Sequence, residues 1–373
     1  MDLINYRAPL GHTHRRLTED KELRVVYFGG SVTAGHGSSD SSARSWRALI
    51  GQWLSQQFPS ARIENINRAL GESGTYLGAN RVQMDIIPAR PDLLFIEYAI
   101  NDRYFESTYE RAASQFETII REVRTALPKT DIVAILVTDK ACLEKNRVGK
   151  LHTQAQAHED IARAYDVPTV HAGRYLAQTA EYSPENWSKY AIDIVHPNDA
   201  GYAVYYQIIR EFMYNSLFCT DFAEQDGQTA MPPIVSERLF DGARAHIIPS
   251  QALLERSRAL GGIGVEWTDE SVFGNAAISE QRGRFYFADG DVLALRFCGT
   301  EISAYVFESE IDWSVSVDGG EYETVRSGSH NPTVFASGLE SGEHVLRIKP
   351  TSAGKVCIGA MFTRDATLAT RRA

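Results

Sequence analysis

The chain has 373 residues, 43% of them hydrophobic and 23% charged, which are the proportions of an ordinary globular protein with room for two domains. Its formal net charge of −10 at pH 7 offers no basic surface to phosphate backbones or anionic lipids, so we expect no nucleic-acid partner and no membrane partner. The N-terminus lacks the apolar core of a signal peptide, and no later stretch reaches the ~20 apolar residues of a membrane span, which favours a cytoplasmic protein.

A doubly wound sheet is predicted after a short N-terminal extension, residues 1–22. From Leu23 to about Phe218, short apolar runs alternate with longer segments of helical period, which is typical of a parallel sheet with helices on both faces. We assign this α/β domain, with a five-stranded parallel sheet of the flavodoxin-like kind, to residues 23–219. The predicted strands are Arg24–Phe28, Arg62–Ile66, Asp92–Tyr98, Asp131–Thr138 and Val167–His171.

The predicted helices lie between and after these strands. In Ser45–Phe58, the residues Trp46, Ile50 and Trp53 recur at the spacing that makes one apolar face. The last helix of the domain starts after a proline, with Asn198 as its expected N-cap. The other predicted helices are at about Tyr76–Ile87, Ser107–Leu127 and Gly149–Tyr165.

The segment after the first strand carries the first candidate for chemistry, because ligands of a doubly wound sheet bind beyond the carboxyl ends of its strands. It reads Gly-Gly-Ser-Val-Thr-Ala-Gly, residues 29–35, and its two leading glycines are expected to let the chain turn sharply and expose Ser31. Gly-Gly-Ser also occurs in ordinary turns. The segment is neither a P-loop nor a GxSxG elbow.

Two further segments offer hydrogen-bond donors. Gly71 follows the second strand, and Asn101 and Asp102 follow the third. A glycine N–H and an asparagine amide are the donors that stabilise the negative oxygen formed when an ester carbonyl is attacked. Taken alone, Gly71 is equally compatible with a simple turn, and Asn101-Asp102 with a cap on the next helix.

A histidine with a nearby carboxylate precedes the last helix of the domain, in Asp193-Ile194-Val195-His196-Pro197. The three-residue spacing lets one loop carry both groups, with Asp193 accepting a hydrogen bond from one imidazole nitrogen while the other nitrogen faces a serine. A lone histidine beside proline is more often structural. Its combination with Ser31, Gly71 and Asn101 favours a catalytic site.

The pattern changes after about Asp221. A polar segment closed by two prolines, residues 220–233, is the predicted linker. From residue 234 to 373, short alternating segments are separated by Gly, Asp and Ser turns, which predicts a smaller antiparallel β-sandwich of jelly-roll-like kind.

No metal or cofactor site is expected from the sequence. The four cysteines form no CxxC pair, so neither a zinc site nor a dense disulfide framework is indicated. His152 and His158 lie six residues apart, which places them on different helix faces. We expect these two histidines, like His12 and His14 near the N-terminus, to be solvated surface residues.

Together these segments resemble blocks I, II, III and V of the SGNH (GDSL-like) hydrolase superfamily, over about Leu23–Phe218. The resemblance implies that Ser31 is the nucleophile, His196 its general base and Asp193 the residue that orients the histidine. It also implies an oxyanion hole formed by the Ser31 N–H, the Gly71 N–H and the Asn101 amide. The chain departs from the usual pattern in two ways: Gly30 replaces the aspartate that usually precedes the serine, and Glu72 stands where a small residue is common.

The resulting hypothesis is a serine esterase that needs no cofactor and removes short acyl groups, foremost O-acetyl groups, from a carbohydrate. The carbohydrate is suggested by the trailing sandwich, which resembles modules that accompany carbohydrate esterases, and by the lack of a long apolar lid. One alternative is a short-chain acyl-ester or thioester hydrolase without sugar specificity. Another is a carbohydrate-binding protein whose hydrolase domain is inert.

Overall fold

The structure is a computed structural model that describes residues 2–179, 184–219, 231–236, 243–247, 263–267, 285–306, 310–328, 332–351 and 356–364. The chain forms two compact units. The first comprises residues 1–78 and 86–237, and the second comprises residues 79–85 and 238–373. Of the predicted linker, residues 220–230 lie outside the described residues.

The first unit is built on a mainly parallel sheet with the strand order β1-β6-β5-β4-β2-β3. Strands β2 to β6 are parallel and coincide with the five predicted strands. The strands are β1 (Ile4–Asn5), β2 (Glu22–Gly29), β3 (Arg62–Asn67), β4 (Leu93–Glu97), β5 (Asp131–Ile135) and β6 (Thr169–Val170). The α/β fold class is therefore confirmed.

The N-terminal segment corrects the predicted strand count, because β1 adds an antiparallel edge to the five parallel strands. Ile4 pairs with Val170 on β6, and the N–H of His171 donates to the carbonyl of Leu3 at 2.9 Å. Farther along, Leu10 and Leu17 are fully buried in the core of this unit. Residues 1–22 are thus part of the first unit, and a strand of two residues is too short to show a periodic signal.

The predicted helices are confirmed, and side chains that bind free N–H groups of the first turn mark the start of several. Ser45 accepts from the N–H of Ala48, and Asn198 accepts from the N–H groups of Ala200 and Gly201. None of the helices in the described ranges is long and apolar enough to cross a bilayer. The helices are α1 (Gly11–Arg15), α2 (Ser31–Ala34), α3 (Trp46–Gln57), α4 (Thr75–Arg81), α5 (Ala99–Tyr104), α6 (Tyr109–Ala126), α7 (Leu143–Arg147), α8 (Thr153–Ala164), α9 (Ala172–Thr179) and α10 (Asp199–Phe218).

The second unit contains antiparallel strands, as the alternating sequence predicts. Over the residues that the structure describes, the long strand β9 joins two groups of strands, because its C-terminal part pairs with β14 and its N-terminal part pairs with β15 and β8. Trp313 is fully buried, and its ring contacts Phe287 and Phe335. The strands are β7 (Ala243–Ile247), β8 (Ile263–Trp267), β9 (Phe285–Cys298), β10 (Glu301–Val306), β11 (Asp312–Val317), β12 (Glu323–Arg326), β13 (Thr333–Ser337), β14 (Glu343–Pro350) and β15 (Val356–Arg364).

The end of the predicted linker and the residues that follow it are anchored to α6, foremost through Glu117. The buried carboxylate of Glu117 accepts hydrogen bonds at 2.7 Å from the N–H groups of Val235 and Ser236, and one from the hydroxyl of Tyr165. Arg121, one turn later, donates to the carbonyl of Pro232. Hydrogen bonds to a charged group are the stronger kind, so this segment is fixed to the first unit.

Candidate active site

The turn that carries Ser31 follows β2 and lies at the carboxyl end of the sheet. The sequence analysis assigned its two glycines to a sharp turn. In the structure they are required because neighbouring groups leave no room for a side chain at either position. A Cβ on Gly29 would lie 2.5 Å from the carbonyl oxygen of Glu97, and one on Gly30 would lie 2.3 Å from the side-chain nitrogen of Asn101. Gly30 has φ −85°, which any residue adopts. Any larger residue before Ser31 would therefore displace the Asn101 amide.

The structure brings Ser31, His196 and Asp193 into one hydrogen-bonded chain. Ser31 Oγ lies 2.8 Å from His196 Nε2, and His196 Nδ1 lies 2.6 Å from Asp193 Oδ2. Since an ionised carboxylate only accepts, the Nδ1–H donates to Asp193, and Nε2 is left to accept the serine proton. This is the arrangement in which a histidine acts as the base for a serine nucleophile.

The loop that carries Asp193 and His196 is held by its own hydrogen bonds. Asp193 Oδ1 accepts from the N–H groups of Val195 and His196, both at 2.8 Å. Burial tends to raise the pKa of Asp193, but hydrogen bonds from the His196 backbone, the His196 ring and Val195 prevail and lower it. The carboxylate thus remains charged, and a charged carboxylate in this position is able to orient an imidazole and stabilise its protonated form.

Gly71 and Asn101 lie beside Ser31. A Cβ on Gly71 would be 3.9 Å from that of Ser31, and Asn101 Nδ2 donates to the carbonyl of Ser73 at 2.7 Å. An amide nitrogen carries two hydrogens, so one fixes the side chain and the second is available for a ligand. Glu72, between Gly71 and Ser73, has left-handed backbone with φ 54°. Gly71 and the Asn101 amide therefore both lie close to the turn that carries Ser31.

Asp102 and His158 hold the Gly71 loop against α5 and α8. The carboxylate of Asp102 accepts from the N–H of Thr75 at 2.7 Å, from the Thr75 hydroxyl, and from His158 Nε2 at 2.9 Å. Asp102 lies within α5 and does not cap a following helix. The expectation that His152 and His158 are solvated was wrong, because both are buried and His152 accepts from the N–H of Ala155 at the start of α8.

Sequence reasoning missed Glu97, which lies at the end of β4 beneath the Ser31 turn. The side chain is 1% exposed, its Oε2 accepts from the Thr33 hydroxyl at 2.8 Å, and its Oε1 has no partner among the described residues. Burial raises the pKa of Glu97 to about 8, and hydrogen bonds from Thr33 and Gly30 offset only part of that rise. An apolar strand ending in glutamate gives no signal of this position.

Glu97 makes stability depend on pH in a predictable direction. Its pKa is about 8 in the folded state and near 4.5 when unfolded, so the folded state holds the extra proton between these values and stability falls as pH rises through them. Each pKa unit corresponds to about 1.4 kcal/mol. We predict that Glu97→Gln weakens this pH dependence. The Tm of the variant minus the Tm of the unsubstituted protein should therefore be several degrees higher at pH 9 than at pH 5.

Thermal unfolding across that pH range checks the prediction, with Glu64→Gln as the matched control. Glu64 lies on the neighbouring strand β3, and its side chain is 48% exposed. Because both variants lose one carboxylate, a general charge effect appears equally in the two. An unchanged Tm difference across pH for Glu97→Gln would show that Glu97 holds no proton in the folded state.

His36 is a second residue of this region without a sequence signal. Its ring lies against that of His196, with centroids 4.3 Å apart and planes at 65°. The main chain of His36 is fixed, because its N–H donates to the carbonyl of Ser31 at 3.0 Å and its carbonyl accepts from the Tyr202 hydroxyl at 2.7 Å. The site thus contains a second imidazole that the sequence analysis did not consider.

Comparison with protein families gives one match. The model of the GDSL-like lipase/acylhydrolase family matches residues 27–204. This range includes the end of β2, strands β3 to β6, the serine turn and the loop that carries His196. The comparison with curated protein sequences gives no significant match.

Comparison with solved structures extends the likeness to both units. A two-domain esterase (CEX) active on acetylated mannans has 20% sequence identity and a TM-score of 0.75, over 97% of each chain. A structure of such an esterase co-crystallised with mannopentaose gives 19% identity and a TM-score of 0.73, over 97% of this chain and 96% of that one. An acetylxylan esterase from Geobacillus stearothermophilus, Axe2, has 16% identity and a TM-score of 0.44 over 54% of this chain and 97% of its own. The first two comparisons show a shared two-domain fold.

Proposed function

Because residues 27–204 belong to the GDSL-like lipase/acylhydrolase family and the protein is thus a serine ester hydrolase, we propose that it removes short acyl groups, foremost O-acetyl groups, from a carbohydrate. The observation that carries the proposal is the hydrogen-bonded chain from Ser31 through His196 to Asp193, with the Asn101 amide beside it. In this proposal the reaction passes through an acyl-enzyme on Ser31.

In the first half of the reaction Ser31 Oγ attacks the ester carbonyl carbon. His196 Nε2 accepts the Oγ proton as the new C–O bond forms, and Asp193 stabilises the resulting imidazolium through Nδ1. The C–O bond to the alcohol then breaks, and His196 returns the proton to the leaving oxygen. The products of this half are the free sugar hydroxyl and an acyl group on Ser31.

The tetrahedral intermediate carries a negative oxygen that needs donors. Ser31 is the first residue of α2, and the first N–H groups of a helix have no acceptor within it. We assign this N–H, the Gly71 N–H and the second Asn101 amide hydrogen to the oxyanion. The Asn101 side chain is 7% exposed, and fixed donors in a site that excludes water stabilise charge better than water does.

In the second half water replaces the alcohol. His196 Nε2 takes a proton from a water molecule, the hydroxide adds to the acyl carbon, and collapse of the intermediate releases the acid while Ser31 regains its proton. The proton transfers in this proposal use Ser31, His196 and Asp193, whose side chains are hydrogen-bonded in series. The chemistry calls for no cofactor.

A carbohydrate ester is supported by the fold as a whole. The two-domain esterase that is similar over 97% of this chain is described as active on acetylated mannans, and its similarity includes the antiparallel strands as well as the parallel sheet. A shared fold does not by itself fix a substrate. The acyl group and the sugar therefore need a direct test.

The test compares acetylated manno-, xylo- and gluco-oligosaccharides with p-nitrophenyl esters of increasing acyl length. We expect kcat/KM to be highest for acetyl among the p-nitrophenyl esters, and higher still for an acetylated oligosaccharide. If p-nitrophenyl acetate is hydrolysed but none of the acetylated sugars is, the result would favour the esterase or thioesterase that lacks sugar specificity. Sugar binding without hydrolysis of any ester would favour the inert carbohydrate-binding protein.

A further inference from the structure

His36 lies beside the proposed catalytic residues and, with two of them, forms a group of possible metal ligands. The effect of a bound metal on activity rests on the proposed function, whereas binding of the metal does not. Ligand atoms of His36, His196 and Asp193 all lie within 4.8 Å of one another. His36 forms no side-chain hydrogen bond to another described residue, and the proposed mechanism gives it no task. A Cβ on the following residue, Gly37, which has φ 91°, would lie 2.4 Å from the carbonyl oxygen of Pro197 and 3.3 Å from His196 Cβ, so the chain after His36 passes close to the catalytic loop.

Two imidazoles and a carboxylate are a ligand set that suits zinc. Zn²⁺ binds histidine nitrogen and carboxylate oxygen at about 2.0–2.2 Å and often keeps a fourth position for water. Small side-chain rotations bring atoms within 4.8 Å to these distances, since His36 is exposed and the Asp193 side chain is 43% exposed. Hard cations such as Mg²⁺ prefer oxygen ligands, so the set discriminates against them.

We propose that His36, His196 and Asp193 form a binding site for a divalent zinc-type ion that inhibits the esterase reversibly. An ion on His196 Nε2 blocks acceptance of the Ser31 proton. A neutral imidazole that binds an ion through Nδ1 carries its one proton on Nε2, so it cannot accept the Ser31 proton either. In both cases His196 Nε2 has no free lone pair, and the acyl-enzyme cannot form.

The experiment has an activity arm and a binding arm, both with untagged protein. Turnover of p-nitrophenyl acetate is measured against ZnCl₂ and MgCl₂, with reversal by EDTA. His36→Phe keeps an aromatic ring beside His196 but removes the ligand nitrogens. His36→Ala removes them too, and it shows whether the larger phenylalanine ring itself changes the response to zinc. His14→Ala, which removes a half-buried histidine outside the site, is the matched control. We expect Zn²⁺, and not Mg²⁺, to inhibit, with the inhibitory concentration raised at least about tenfold in both His36 variants and unchanged in His14→Ala.

Calorimetry with ZnCl₂ separates the metal site from the esterase. Ser31→Ala retains all three ligands, so we expect it to bind one Zn²⁺ as the unsubstituted protein does, and we expect that binding to be lost in His36→Phe. Equal Zn²⁺ affinity with and without His36, or no binding at all, would overturn the metal site whatever the activity. Binding that depends on His36 in a protein that cleaves no ester would overturn the proposed function and leave the metal site standing.

Discussion

Replacing Ser31 with alanine should lower kcat for p-nitrophenyl acetate by about 10⁴-fold or more. The substitution removes the oxygen that would form the acyl-enzyme, while His196, Asp193 and the proposed oxyanion donors remain. The fold should be unaffected, because Ser31 Oγ bonds only to His196 among the described residues and is half-buried. Steady-state kinetics together with Tm of the purified variant checks both expectations.

Ser42→Ala is the matched control for this experiment. Ser42 lies eleven positions farther along the same connection, and its exposed hydroxyl bonds to Asp40. Its activity should equal that of the unsubstituted protein. If Ser31→Ala keeps more than a few per cent of the original activity, another residue is the nucleophile and the proposed mechanism is wrong.

Replacing Asn101 with alanine should lower kcat by about 10²–10³-fold with little change in KM. This is the effect expected of a donor that is used mainly in the transition state. Asn101→Asp is a useful companion, because it keeps the shape of the side chain but replaces the donating nitrogen with an acceptor. An effect confined to KM would instead assign Asn101 to substrate binding.

Gly30→Ala tests the same donor without removing it. The new Cβ would lie 2.3 Å from Asn101 Nδ2, so the amide must move away from Ser31 and kcat should fall as it does for Asn101→Ala. The double variant shows whether the two act through one group, since coupled substitutions are not additive. If the kcat losses of the two single variants add fully in the double variant, Gly30→Ala impairs the reaction by a route other than displacing the Asn101 amide.

The fold was predictable where the sequence carries a long-range period. Strands β2 to β6 were found because short segments typical of strands alternate with helical segments, and α3 was found because its tryptophans and Ile50 recur on one face. Strand β1 and the short helix α5 were missed because neither is long enough to show a period. Their conformations depend on partners elsewhere in the chain, such as Val170 for Ile4.

Candidate residues were predictable for a different reason. Acyl transfer needs a few residue types, and the order of a doubly wound sheet brings the carboxyl ends of its strands to one edge. Ser31, Gly71 and Asn101 could thus be selected by chemistry and position, as could the Asp193–His196 pair. The roles of these residues remain proposals that the variants above test.

What the sequence determined by itself is the order of strands and helices and the residue types that follow them, because both are local properties of the chain. Only the tertiary structure decided which side chains share space. It placed Ser31 Oγ 2.8 Å from a histidine 165 positions away, filled the space beside Gly30 with the Asn101 amide, and set the ring of His36 against His196. It also buried Glu97, whose raised pKa follows from the loss of water around the carboxyl group. Such contacts join residues that are distant along the chain, and they arise from packing and desolvation, which no local pattern encodes.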